Sequence, residues 1–208
     1  MLIDSSSIRH LQSIGLGHYV EKMDVVESII YEVGEIRVHR VYSESKDEVY
    51  KLIKYLETIA IQTGKQITLE LEKTQRLSKS ITLCPYGKKG RISLHYGEFY
   101  LLARSSHAYF VRNEYAVMNY IEDILSDDET VEKVGCLLSE LCGINFKVTN
   151  TFNFLYSLYL DKELSASELV DYFEKMIETK QLNLKIPPKT RNDKAIIKAL
   201  IEFMRQCT

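Results

Sequence analysis

ITLCPYGKKGRISLHYGEFYLLARSSHAYFVR, residues 81–112, is the stretch on which the reading of the fold turns. Ile81 and Leu83 alternate with polar neighbours, Gly87-Lys88-Lys89-Gly90 supplies a turn, and Ile92, Leu94 and Tyr96 alternate on the return, which is the period-2 pattern of paired strands. Gly97 then breaks the second strand. Phe99 to Arg104 read as a third strand and Ala108 to Arg112 as a fourth, joined by Arg104-Ser105-Ser106-His107. The expectation is an antiparallel meander.

Upstream, residues 36–42 alternate as a strand, and Ser45-Lys46-Asp47-Glu48 has the capping-box spacing, in which hydroxyl and carboxylate each take a free amide of the first turn. Val49, Leu52, Ile53, Leu56 and Ala60 continue from it as one apolar helical stripe that stops at Gly64. Ile67, Leu69 and Leu71 alternate again, so the region reads as a strand-helix-strand unit with parallel strands. Before it, Tyr19, Val20, Met23, Val26, Ile30 and Val33 predict a helix over 18–33, ended by Gly34. After the meander, Asn113 caps a helix carrying Val117, Tyr120, Ile121 and Ile124.

Beyond Ser126-Asp127-Asp128 the periodicity is helical, with segments at 129–142, 150–160, 165–179 and 192–206 and an interruption at Pro187-Pro188. Ser165-Ala166-Ser167-Glu168 is a second capping box. The fold class read from these patterns is α+β. A domain over 1–127 holds the strand-helix-strand unit and the meander in a mixed sheet, and residues 128–208 form a small helical C-terminal region.

The chain has 208 residues, 45% of them apolar and 27% charged, with nine Gly and three Pro, which excludes a collagen-like or linker-dominated polymer. Its longest apolar run, Phe99 to Ala103, falls far short of the roughly 18 residues a spanning helix needs. Asp4, three serines and Arg9 stand near the N-terminus where a secretory leader would place basic and then apolar residues. The four cysteines, Cys84, Cys136, Cys142 and Cys207, form no C-x-x-C pair, so reduced thiols and a cytoplasmic location are expected.

Charge is distributed in blocks. Net charge is −3 over 1–64, +6 over 65–112, −10 over 113–178 and +5 over 179–208. In the basic block, Lys79, Lys88, Lys89, Arg91, Arg104 and Arg112 are interleaved with Tyr96 and Tyr100, cations for phosphates beside rings for bases, as a nucleic-acid surface requires. In the acidic block, Glu168, Asp171, Glu174 and Glu178 line one helix. A DNA-recognition helix of that sign would be repelled by phosphates, and the sign suits better either a basic protein partner or the basic last segment of the same chain.

Catalytic motifs are scarce. Cys84 and His95 would lie on adjacent strands of the meander, where an imidazole and nearby cations could favour a thiolate. Gly15-Leu16-Gly17 and Gly87-Lys88-Lys89-Gly90 lack the remaining residues of a phosphate loop. The five histidines are isolated. Asp127-Asp128-Glu129 could invite a divalent ion, but at a helix start these carboxylates complement the helix dipole, so no metal and no cofactor is expected. Taken together, the sequence favours a non-catalytic protein-interaction subunit or regulator of a larger assembly, with a protein partner and no membrane. The alternative is a nucleic-acid-binding protein using 65–112, and the third reading is a hydrolase around Cys84 and His95.

Overall fold

The computed structural model describes residues 1–43, 54, 67–72, 80–85, 92–112, 122–142, 146–178 and 193–206. The described strands are β1 (Leu2–Ile3), β2 (Asp24–Val26), β3 (Arg40–Tyr42), β4 (Ile67–Glu72), β5 (Ser80–Pro85), β6 (Ile92–His95), β7 (Ile124–Leu125) and β8 (Val148–Thr149). The described helices are α1 (Ser5–Ser13), α2 (Gly17–Val20), α3 (Glu27–Val33), α4 (Tyr96–Arg112), α5 (Glu129–Cys142), α6 (Thr151–Leu160), α7 (Ala166–Glu178) and α8 (Asp193–Gln206).

The expected α+β fold built on an antiparallel meander is overturned. The main sheet is five-stranded and all-parallel, in the order β3-β2-β1-β7-β8, and its helices make the architecture α/β-like. β4, β5 and β6 pair antiparallel in a separate three-stranded sheet. The strand-helix-strand expectation fails with it, because β3 belongs to the parallel sheet and β4 to the other. The helix expected between them falls outside the described residues apart from Lys54, which is helical.

The decisive difference lies in residues 96–112, which form α4, a single 17-residue helix in place of two strands. Phe99, Tyr100, Leu101, Leu102 and Ala103 are all buried, at 0–3% exposure. A run buried on every side carries no periodicity, so pattern alone cannot tell a helix from a strand there. The helix packs against β2, β5, β6, β7 and α5, and that surrounding contact explains why no polar face is needed along the run.

A second correction concerns 18–33. The expected helix is divided by β2, whose Asp24, Val25 and Val26 are buried between β1 and β3. The branched side chains of Val25 and Val26 suit a pleated, enclosed strand better than a helix turn. Ile124, expected on a helix, instead starts β7 next to β1. Residue 127 is not an edge of the sheet, since β8 at 148–149 pairs with β7.

Short strands are held by their flanks. Leu2 N donates to Asp123 O at 2.8 Å, Asp4 N to Leu125 O at 2.9 Å and Ser126 N to Thr149 O at 2.9 Å, so the ladder continues past each strand's end. Leu2, Ile3, Ile124 and Leu125 are fully buried. The C-terminal helices follow their sequence periodicity. On α7, Leu169, Val170, Phe173 and Met176 are buried and Phe173 stacks on Phe152 of α6 at 4.5 Å. Among the described residues no helix is long and apolar enough to cross a membrane.

Candidate functional site at the carboxyl edge of the parallel sheet

In an all-parallel sheet every strand ends at the same edge, and the residues that follow each strand converge there. From β1 the chain proceeds to β2 and β3 on one side, while β7 and β8 lie on the other, so the strand order reverses between β1 and β7. Open α/β sheets bind ligands in the crevice outside the strand ends at such a reversal, because the flanking loops diverge and leave it open. Asp4 follows β1, Ser126-Asp127-Asp128 follow β7, and Asn150-Thr151 follow β8. Gly97, at the start of α4, approaches the segment after β2 so closely that a Cβ there would lie 2.7 Å from Ser28 Oγ. Glu98 therefore stands in the first turn of a helix that begins beside the same edge.

Asp4 occupies the N-cap position of α1 in extended geometry and is 4% exposed. Its Oδ2 accepts the hydroxyls of Ser6 at 2.7 Å and Ser126 at 3.1 Å. Its partners among the described residues are hydroxyls and a backbone amide, and no lysine, arginine or histidine of those residues pairs with it. Burial pushes its carboxyl above the ordinary value of 3.8 despite the hydrogen bonds from Ser6, Ser5 and Ser126, and the charge of nearby Asp128 pushes the same way. Asp128, half-buried, caps α5 by accepting Thr130 N at 2.6 Å, and its own amide donates to Ser126 Oγ at 3.2 Å.

Asp127 has the opposite surroundings. Its Oδ2 accepts Ser7 Oγ at 2.9 Å, Thr151 Oγ1, and His10 Nδ1 at 2.7 Å, while Oδ1 accepts Thr151 N at 2.7 Å. Ser7 and Thr151 are fully buried, and the side chains of His10 and Asp127 are 15% and 10% exposed. Burial alone would raise this carboxyl. The His10 hydrogen bond and charge, with the donors of Thr151, outweigh it and hold the group below 3.8. One carboxylate thereby ties α1, the turn after β7 and the start of α6 together.

The residues singled out from sequence are dispersed. Lys79, Lys88, Lys89 and Arg91 lie outside the described residues. Tyr96 opens α4 and Arg112 closes it, about 24 Å apart along a helix rising 1.5 Å per residue. Tyr100 is buried at 3% exposure and offers no open ring face, and the Arg104 guanidinium lies over the Tyr42 ring at 3.8 Å. His95 is in register with Ser80, four residues along β5 from Cys84, so the strand pairing does not bring Cys84 and His95 together.

On the acidic helix α7, Glu168 is taken by its capping box. Ser165 N and Oγ donate to Glu168 Oε2 at 2.8 and 2.7 Å, which lowers that carboxyl. Glu174 pairs with Arg205 of α8 at 2.5 Å, an ion pair with the last segment of the same chain, while Asp171 and Glu178 are exposed.

Asp4, Asp127 and His10 went unremarked as a group because 117 positions separate His10 from Asp127 in sequence. The available signal was local: an apolar pair followed at once by hydroxyl and carboxylate residues, as in Leu2-Ile3-Asp4-Ser5-Ser6-Ser7 and Ile124-Leu125-Ser126-Asp127-Asp128. Among the described residues no three or more His, Cys, Asp or Glu side chains form a metal cage. Comparisons with protein-family models, with curated proteins and with solved structures find no match.

Proposed function

We propose that the chain binds a hard divalent cation together with a phosphate-bearing ligand at the carboxyl edge of its parallel sheet, between the ends of β1 and β7. The observation that carries this reading is Asp4, a buried carboxyl beside Asp128 at the strand reversal with no described cation to balance it. A buried, unpaired carboxylate is costly, and a cation arriving from solvent relieves that cost. Hard ions of the Mg²⁺ type suit the oxygen-only surroundings. They take one or two carboxylates from the protein and complete their shell with water and ligand phosphate, so the absence of a larger cage among the described residues is compatible with this mode.

Isothermal titration with MgCl₂, followed by inorganic phosphate, a mononucleotide and a short single-stranded RNA, tests the reading. Mg²⁺ binding to the wild-type chain that is lost in both Asp4→Asn and Asp128→Asn is the expected result. Equal heats in all three proteins would refute it. The phosphate arms separate a free nucleotide from a nucleic acid as the source of the phosphate.

A protein partner is the second reading, in keeping with the block distribution of charge. Its support is two exposed large apolar side chains on the C-terminal helices, Phe203 of α8 and Leu160 of α6, 63% and 60% exposed. A cytoplasmic setting accompanies both readings and is supported by the free, exposed thiol of Cys136.

A further inference from the structure

α6 stands apart from the rest of the chain in its charge. Its ten residues, Thr151 to Leu160, include no Asp, Glu, Lys or Arg, although 27% of the chain is charged. Thr151, Phe154, Leu155 and Leu158 are buried and account for the inner side. The outer side carries Asn153, Tyr156, Ser157 and Leu160, all exposed, with Tyr156 at 41% and Leu160 at 60%. The solvent side of a surface helix ordinarily holds charged residues, so an uncharged one that shows a tyrosine and a leucine one turn apart is suited to being covered.

The turn after α6 makes a groove beside this side. Lys162 adopts a φ of 62°, a left-handed geometry uncommon outside glycine, and in it Lys162 N donates to Tyr159 O at 3.0 Å and Glu163 N to Leu158 O at 2.8 Å. Leu164 is thereby returned to the core. A cavity of about 610 Å³, open to solvent, lies between the end of α6 and the start of α7, with Tyr159, Leu160 and Leu164 as its apolar lining and Glu163 and Glu168 as its acidic lining. The Tyr156 ring lies 6.2 Å from that of Tyr159, so the apolar surface continues from the cavity along α6.

Charge identifies the occupant. Glu168 is held ionised by its bonds from Ser165. Glu163 receives only the Tyr19 hydroxyl, at 3.5 Å, and Asp161 and Asp171 are exposed beside it with no ion pair to a described residue. Against these four carboxylates stand Lys162 and, over the Tyr19 ring, Lys22. Farther along α7, Glu174 pairs with Arg205, and Glu178 shares the space between α7 and α8 with Lys198. The cations of α8 serve that far half and leave the half beside the groove acidic. Anionic lipid and nucleic acid are repelled by such a rim, whereas a polypeptide bearing lysine and arginine is drawn to it.

We infer that the groove between α6 and α7 docks an amphipathic helical segment of a partner protein. The segment sets an apolar side chain among Tyr159, Leu160 and Leu164 and its basic residues against Asp161, Glu163, Glu168 and Asp171. The inference deepens the protein-partner reading and is independent of the cation site.

The probe is a fluorescein-labelled helical peptide with Leu at i, i+3, i+4 and i+7 and Lys at its other positions, compared with a counterpart carrying Glu for every Lys. Each is titrated into the full chain by fluorescence anisotropy at low and at high salt. The Lys peptide should bind and weaken with salt, and the Glu peptide should not bind. Leu160→Ser should lower the affinity about tenfold at an unchanged melting temperature, because the side chain is exposed until the peptide buries it. Asp161→Asn with Glu163→Gln should lower it about threefold and flatten the salt dependence, while Glu178→Gln leaves it unchanged.

Equal affinity for the two peptides, or equal affinity of wild type and Leu160→Ser for the Lys peptide, would overturn the inference. Loss of binding in Phe203→Ser and not in Leu160→Ser would overturn it as well, yet leave the partner reading standing with its surface on α8. If Leu160→Ser melts early, a photo-crosslinking Lys peptide on the wild-type chain decides: cross-links within 156–171 support the groove, and cross-links confined to other segments, or none, overturn it.

Discussion

Asp4 and Asp127 end neighbouring parallel strands, both lie deep beside α1, and each is hydrogen-bonded by serines, yet their surroundings move the two carboxyls in opposite directions. Asp4 receives hydroxyls and a backbone amide and faces a second carboxylate, so burial dominates and the charged form is disfavoured. Asp127 receives an imidazole, two hydroxyls and a backbone amide, and the charged form is favoured. The contrast separates two uses of a buried charge. A carboxylate whose acceptors are filled by fixed donors braces the fold, whereas one held at a disadvantage is what the proposed cation site would use.

The sharpest way to break this contrast is to remove the brace. Asp127→Ala strands the Thr151 amide, the Ser7 hydroxyl and the His10 ring edge together, and should lower unfolding free energy by about 3–5 kcal/mol at neutral pH, the range seen when one partner of a buried pair is deleted. The pH dependence carries a sign. Because the folded carboxyl sits below 3.8, the stability it contributes is fully present above that value and is lost as pH falls through the lower folded value. Urea unfolding at a series of pH values should show wild type and variant converging only in strong acid. Convergence already near neutrality would mean that Asp127 is not the anchor of three elements.

Asp4→Asn should move stability the other way and by less, raising it by about 1 kcal/mol at neutral pH, as relief of a strained functional group does. The folded carboxyl is raised, so its ionised form carries a penalty at high pH that disappears as pH falls through the folded value toward 3.8. The gap between Asp4→Asn and wild type should therefore narrow on acidification, where the Asp127→Ala gap narrows only below 3.8. A variant less stable than wild type at pH 7 would place Asp4 among the braces and remove the reason for seeking a cation there.

How far these features could be read in advance depended on their length along the chain. The Ser165 to Glu168 capping box forms as its spacing implies, with Glu168 N also donating to Ser165 Oγ at 3.3 Å, and Leu169, Val170, Phe173 and Met176 of the helix it starts are buried at helical spacing. Such signals lie within one turn or a few turns of helix. β1, β7 and β8 have two residues each, too few to show a period, and are defined by partners more than 20 residues away. Leu101 and its neighbours failed for the opposite reason, since a run enclosed on all sides looks the same in either periodicity. Asp127 and Asp128 were both legible only as carboxylates at a helix start; Asp128 does cap α5, whereas Asp127 takes its donors from α1 and α6, which no local pattern reveals.

The smallest effects compare single hydroxyls. Ser7 donates to Asp127 and Ser126 to Asp4, so Ser7→Ala and Ser126→Ala each remove one hydrogen bond from one side of the contrast. Ser7→Ala should cost about 1 kcal/mol at neutral pH, with the loss fading as Asp127 takes up its proton in acid. Ser126→Ala removes a longer contact, at 3.1 Å, to a carboxyl whose charged form burial disfavours, together with the acceptor of the Asp128 amide. Its cost should be about half as large. Losing this donor also disfavours the anion, so the Asp4 carboxyl should rise further, visible as a shift of its ¹³C titration to higher pH. A larger loss from Ser126 than from Ser7, or an Asp4 titration that does not move, would show that the two carboxylates share one network and that the division between brace and binding group is drawn in the wrong place.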